Sequence, residues 1–197
     1  SLIQVNGRRY KVFGSMVRSD RQENHHSFLG VTYWVDVTEY ADIKEEYSLS
    51  RPVAAIILLD NYEELFKTEA AKSSMMAAIE EKVNEWVQGL GGLLCKYDRD
   101  RYLFLFEERH LDALREGKFS LLESVRSVVS PAGVAATVSI GIGRDGESLE
   151  ENFQFASLGI EMALSRGGDQ AVVKNRFNFE FYGGRAAEVE KHTKVKT

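Results

Sequence analysis

The chain has 197 residues, enough for one full domain and part of a second, and its 44% hydrophobic and 28% charged residues are ordinary for a globular protein. A net charge of −5 with dispersed basic residues argues against nucleic-acid binding, and no run approaches the roughly 18 apolar residues of a membrane span. The opening residues carry no signal-peptide pattern, and the single cysteine cannot form an internal disulfide, so a soluble, cytosolic piece of protein is expected.

Taken in chain order, residues 3–13 read as a hairpin with its turn at Asn6-Gly7, continued by Met16 and Val17. The polar stretch 18–27 holds His25-His26, which fits a loop better than a metal site because no second ligand pair stands at suitable spacing. A strand over residues 28–35 follows. Asp36-Val37-Thr38-Glu39 then opens a helix in the manner of a capping box. Tyr40, Ile43 and Tyr47 give that helix one apolar stripe, and Arg51-Pro52 stops it.

Residues 53–59 are continuously apolar, as expected of a strand buried on both faces. Asp60-Asn61 is read as its end and as the cap of a short helix through Phe66. Met75, Met76, Ile79, Val83, Trp86, Val87 and Leu90 form the core face of a longer helix, which Gly91-Gly92 terminates. Leu93-Leu94-Cys95 and residues 102–106 are strands of a hairpin whose tip, residues 97–101, carries four alternating charges. Cys95 inside its apolar run is expected to be a small buried hydrophobe rather than a reactive thiol. A helical stretch over 110–129, split near Gly117 and closed by Pro131, leads to a strand over 134–142, a helix over 149–165 and a final strand over 171–174. Gly141-Ile142-Gly143-Arg144-Asp145-Gly146 matches GxGxxG literally. However, Glu147-Ser148-Leu149 starts the helix after the last glycine, which argues against a dinucleotide site.

The order β-α-α-β-β-α-β-α-β contains the strand-helix-strand-strand-helix-strand unit of ferredoxin-like folds, an antiparallel sheet with helices on one face. The expected class is α+β, with a nucleotidyl-cyclase palm over residues 53–182. Residues 1–38 form a preceding piece, 39–52 a connecting helix and 183–197 a linker.

The residues ending in Leu58-Leu59-Asp60, the hairpin Lys96 to Tyr102, Thr137-Val138-Ser139-Ile140-Gly141-Ile142-Gly143 and Ala163 to Val172 resemble the GGDEF family of nucleotide cyclases. The resemblance implies a two-nucleotide reaction through Mg²⁺ held by acids at strand ends. Here one metal-binding acid falls on Leu58, and the signature becomes Asp98-Arg99-Asp100-Arg101-Tyr102 with Arg101 in place of the assisting acid. The guanine-binding Asn and Asp fall on Phe66 and Met75, and the phosphate-binding Lys and Arg on Leu164 and Gly168. The Arg-x-x-Asp inhibition motif that would begin near Gly89 is absent. The domain therefore reads as a degenerate GGDEF domain. Residues 1–38 resemble the C-terminal half of a PAS domain.

This combination, followed by Phe181-Tyr182-Gly183-Gly184-Arg185, is similar to the GdpP/YybT-type bacterial cyclic-di-AMP phosphodiesterases. That resemblance implies a membrane-bound parent, with this region on the cytoplasmic face and a C-terminal DHH/DHHA1 domain using Mn for hydrolysis. The chain is then a regulatory PAS/degenerate-GGDEF portion, without a DHH triplet. The family also implies haem for a complete PAS domain and a weak ATPase in the GGDEF-like domain. An ATP site with Mg would use Asp60, Asp100 and Arg166, whose other readings are a helix cap, a turn charge and an exposed helix-end arginine. No catalytic residue and no metal ligand is assigned. Three functions stay open: a regulatory domain pair, a weak ATPase or nucleotide-binding module, and an active diguanylate cyclase, the last opposed by Leu58 and Arg101. A weak homodimer through the connecting helix is expected.

Overall fold

A computed structural model describes residues 1–19, 27–66 and 69–183; His25-His26 and residues 184–197 of the expected linker lie outside them. The chain divides into two units, Ser1–Leu49 and Ser50–Thr197.

The first unit contains β1 (Leu2–Val5), β2 (Arg8–Ser19), β3 (Ser27–Asp36) and α1 (Thr38–Leu49), with the strands antiparallel in that order. Asn6 and Gly7 both have positive φ, 49° and 76°, as a tight two-residue hairpin turn requires. Asp36 Oδ1 accepts from the backbone N–H of Thr38 (3.0 Å) and from its hydroxyl (2.6 Å), fixing the start of α1. The Thr38 hydroxyl oxygen in turn accepts from Arg9 N (2.8 Å), which ties the helix to β2. Pairing of Val12 with Trp34 and of Phe13 with Tyr33 puts large apolar groups on both faces of the sheet. None of the described side chains in this unit is buried: Tyr33 is 63% exposed and Trp34 52%.

The second unit is built on a six-stranded sheet. Its strands are β4 (Pro52–Leu59), β5 (Leu93–Asp98), β6 (Arg101–Glu107), β7 (Val138–Gly143), β8 (Gln170–Lys174) and β9 (Phe179–Gly183), in the order β5-β6-β4-β7-β8-β9. The helices are α2 (Tyr62–Leu65), α3 (Glu69–Val87), α4 (Leu111–Glu116), α5 (Leu121–Arg126) and α6 (Leu149–Ser165). β4 pairs antiparallel with both β6 and β7, which gives the ferredoxin-like strand order. The helices of that unit lie on one face as expected: Ile79 and Val83 of α3, Leu111 of α4 and Leu121 of α5 are buried in one core with Val53, Ala55, Ile57 and Leu59 of β4. The expected one-sidedness stops there. Ala156 and Ile160 of α6 bury Ala54, Ile56 and Leu58 on the opposite face, because α6 belongs to an added β7-α6-β8 crossover with parallel pairing.

The GxGxxG match is explained by packing. A Cβ on Gly143 would fall on the carbonyl oxygen of Asn152, and one on Gly141 on that of Ala156, so β7 and α6 touch backbone to backbone. Gly146 N donates to Asn152 Oδ1 (2.8 Å), while Asn152 Nδ2 donates to Pro52 O (2.9 Å). Ser148 caps α6 by accepting from Glu151 N, two residues beyond the last glycine of the motif. The loop is filled by its own protein.

Four further expectations are corrected. Residues 171–174 are not the last strand: β9 pairs antiparallel with β8, Lys174 opposite Phe179. The alternating Phe179-Glu180-Phe181-Tyr182 carried that signal. The helical stretch ends at Arg126, and residues 128–136 form a return held by Ser130 N donating to Val134 O (2.8 Å), so the next strand starts at Val138. Cys95 is exposed, because β5 is an edge strand and only Leu94 of its apolar run turns toward the core. Asn61 stands at the N-cap of α2, but neither it nor Asp60 caps the helix with its side chain. Asn61 Nδ2 donates to Ala135 O (2.8 Å) and its Oδ1 accepts from Thr137 N (3.1 Å).

Gly143→Ala should destabilise the second unit by about 3 kcal/mol or more, since a backbone oxygen cannot move aside as a side chain does. Gly117→Ala, whose Cβ would meet Ala113 O at 3.3 Å, should cost less than about 1 kcal/mol. Urea unfolding of both variants beside the parent checks the contrast.

Candidate functional site

The end of the sheet where β4 stops gathers the residues that the sequence singled out. Leu59 N donates to Asp100 O (2.9 Å) and Asp60 N to Thr137 O (2.9 Å), so the β5–β6 tip and the approach to β7 flank the end of β4. The tip is a tight turn at Arg99-Asp100, with Asp98 opposite Arg101 and a register shift between Lys96 and Asp98.

Asp60 points into protein. Its Oδ2 accepts from Asp169 N (2.9 Å), whereas its Oδ1 is buried without a partner among the described residues, as is Ser139 Oγ. Burial pushes the Asp60 carboxyl above its ordinary range, opposed by the Asp169 N–H. The turn it grips has three consecutive positive φ values, Gly167 (99°), Gly168 (74°) and Asp169 (58°). Arg126 Nε donates to both carboxylate oxygens of Asp169, at 3.0 and 2.9 Å, and holds the turn from the other side.

The side chains of the other two proposed ligands engage other groups. The Asp100 carboxylate is 3.8 Å from Arg101 Nε. Arg166 lies with its guanidinium 4.4 Å from the Phe181 ring centroid and donates from Nε to Gln170 Oε1 (3.2 Å). Among the described residues no hydrogen bond or ion pair joins Asp60, Asp100 and Arg166. Most of the remaining positions to which the resemblance assigns cyclase chemistry are packed within the protein. Leu58 is 5% exposed against α6, Met75 lies in the core of α3, and Phe66 packs edge-on to Tyr62 at 4.8 Å between centroids. Gly168 is buried against the Asp60 carboxyl, and Leu164 faces solvent. Arg99 and Lys96, which the sequence reading placed in the hairpin without a role of their own, line a cavity with Tyr62 and with Lys72, Ser73 and Met76 of α3. Two larger concavities lie around α1 in the first unit; they contain none of Asp60, Asp100 and Arg166, but Tyr40 and Ile43 of the α1 stripe line them.

Asp60→Asn should keep an oxygen for Asp169 N–H while removing the buried charge. Because the folded pKa of Asp60 is raised, its favourable contribution is complete below the ordinary carboxyl range, near pH 4, and is lost as pH rises through the raised value. The stability of the variant relative to the parent should therefore grow from pH 4 to neutrality in urea titrations. A constant difference would contradict the buried-carboxylate reading.

Comparison with known proteins follows the same lines. The family model described as "Cyclic-di-AMP phosphodiesterase GdpP-like, GGDEF domain" matches residues 57–181. The chain is 34% identical over 198 residues to cyclic-di-AMP phosphodiesterase GdpP of Geobacillus thermodenitrificans, covering 99% of this chain and 28% of that protein. It is 32% identical over 197 residues to GdpP of Bacillus subtilis, covering 98% and again 28%. The chain thus spans less than a third of the length of the curated relatives it matches. Among solved structures, the GGDEF domain of DgcB from Caulobacter crescentus in complex with c-di-GMP superposes with a TM-score of 0.55 at 13% identity, over 68% of this chain and 84% of that one. That likeness bears on the fold alone. No described helix is long and apolar enough to cross a membrane. With a cyclase-like sheet, a charged hairpin tip and a family model covering most of its length, the chain belongs to the GGDEF-domain family of GdpP-like cyclic-di-AMP phosphodiesterases.

Proposed function

We propose that this chain is the regulatory PAS/degenerate-GGDEF portion of a membrane-bound bacterial cyclic-di-AMP phosphodiesterase. It controls a separate DHH/DHHA1 domain without itself making or cleaving a cyclic dinucleotide. The observation that carries this reading is Leu58. It sits where the cyclase resemblance puts a metal-binding acid, and it is buried in the core between β4 and α6. A carboxylate cannot replace it there without burying an unpaired charge. Arg101 adds a positive charge where the resemblance puts the assisting acid. Similarity to cyclic-di-AMP phosphodiesterases along nearly the whole chain supports the parent activity.

The first unit supports the PAS portion of the reading: three antiparallel strands run straight into a helix through Asp36 and Thr38. That helix is the connector. Tyr40, Ile43 and Tyr47 are 68%, 62% and 67% exposed, and α1 has no buried residue, so the stripe is not spent on covering its own sheet. It is the natural seam for a weak homodimer in which two copies of α1 shift between packings.

A second reading, a weak ATPase or nucleotide-binding module using Mg, is favoured by one observation: Asp60 and Asp100 flank the same strand end, linked through Leu59 N and Asp100 O.

The purified chain should form no cyclic-di-GMP from GTP with Mg²⁺ or Mn²⁺. A chromatographic assay against a boiled control checks this, and product above the control would overturn the regulatory reading. Ile43→Glu should leave the chain folded and lower self-association in sedimentation at rising concentration, since it sets an unpaired charge in the seam. A parent chain that is strictly monomeric to near-millimolar concentration would rule the seam out.

A further inference from the structure

The outermost strand on one side of the second sheet is β5, and no described strand lies beyond it. Its free edge therefore carries backbone N–H and C=O groups that no described ladder uses. Leu93 stands opposite Leu105 and Cys95 opposite Leu103, so both side chains lie on the face that α6 covers over β4. The cover does not extend to β5. Leu93 is 66% exposed, Tyr97 is 46% exposed and Cys95 is exposed as well. Leu103 and Leu105 are half-buried beside them. Edge strands are ordinarily guarded by charges. The one lysine of this strand, Lys96, alternates onto the other face, where Glu80 of α3 holds its Nζ at 2.7 Å. The register shift between Lys96 and Asp98 ends the regular ladder before the tip and leaves Leu93 to Lys96 as the open edge.

We propose that β5 is an edge for a second copy of this chain, the two strands pairing antiparallel about a two-fold axis at Cys95 so that the two sheets become one. The strand is its own complement. Residues 93–97 carry one cation and no carboxylate, and the exposed apolar side chains alternate, so a copy run antiparallel sets apolar against apolar. With the axis at Cys95, Cys95 comes opposite the partner's Cys95, Leu94 opposite the partner's Lys96, and Leu93 opposite the partner's Tyr97. No like charges meet in that register. An axis at Lys96 sets two ammonium groups against each other, and an axis at Leu94 leaves Lys96 facing the partner's Gly92, which has no side chain to cover. Leu93, Cys95, Leu103 and Leu105 of the two copies then form one apolar strip. An edge this short belongs with weak, transient contacts. The contact lies wholly in the second unit, uses no residue of the α1 seam, and stands independently of the regulatory reading.

Cys95 is the single cysteine of the chain and reports the pairing directly. The full chain, reduced and then treated with a short bis-maleimide, should give a covalent dimer whose yield rises with protein concentration and vanishes in urea. In Cys95→Ala/Tyr97→Cys the two thiols stand four residues apart along the pair, roughly 13 Å, beyond the reach of the linker. That variant should cross-link about tenfold less than the parent. Leu93→Lys should lower the yield by about tenfold with Cys95 in place, while a monofunctional maleimide still labels the thiol fully. Ile43→Glu should cross-link as the parent does. Circular dichroism confirms that every variant is folded. A parent that cross-links no better than Cys95→Ala/Tyr97→Cys overturns the proposal, because the thiols then meet only by chance. A Leu93→Lys variant that cross-links like the parent overturns it too. So does a yield abolished by Ile43→Glu, since the thiols then meet through the α1 seam.

Discussion

Everything in the second unit is arranged around one strand that water never reaches. From Val53 to Leu59 the side chains of β4 are essentially buried. Odd positions feed the core under α3, α4 and α5, and even positions feed the core under α6. A strand enclosed on both faces has to be apolar throughout, and it has to have a neighbour on each edge, which β6 and β7 supply. The two faces impose different demands. The α3 side is filled by large side chains such as Phe104 and Ile79, whereas on the α6 side the helix comes so close to β7 that only glycine fits at positions 141 and 143.

That constraint bears directly on the positions where the cyclase resemblance puts its chemistry. Positions that would carry acids or base contacts are also positions on the walls of the two cores. Leu58 and Met75 show the conversion: each now contributes buried apolar surface, and neither exposes a polar group to a ligand. Asp60 survives as a carboxylate but works inward, fastening the turn before β8 through Asp169 N, while Arg126 secures the same turn through the Asp169 side chain.

Much of this was legible in the sequence, for physical reasons. A seven-residue apolar run admits few placements, and the stripe of Met75, Ile79 and Val83 fixed the inward face of α3. The paired-strand signal around residues 97–101 was equally direct, since charges at a tip have no core to enter. Other features were not legible. The exposure of Cys95 is one, because an apolar run does not reveal whether its strand lies at an edge. β9 gives only a short signal, the alternation of Phe179-Glu180-Phe181 within a five-residue strand that ends in glycine. The partners of Asp60, Asp100 and Arg166 were beyond reach: hydrogen bonds from Asp169 N and to Gln170 Oε1 depend on a turn with three positive φ values in succession, and only tertiary structure reveals them. The convergence of Lys72, Lys96 and Arg99 was likewise invisible, since these residues meet only when the hairpin folds beside α3.

The sheet of Ser1–Leu49 has well-paired strands, yet no described side chain in it is buried, and both of its faces present aromatic and branched residues. Any surface that covers those faces and binds only the folded form would add to the stability of this unit, because apolar area leaves water and the equilibrium shifts by mass action. Its unfolding midpoint would then move with the concentration of the cover.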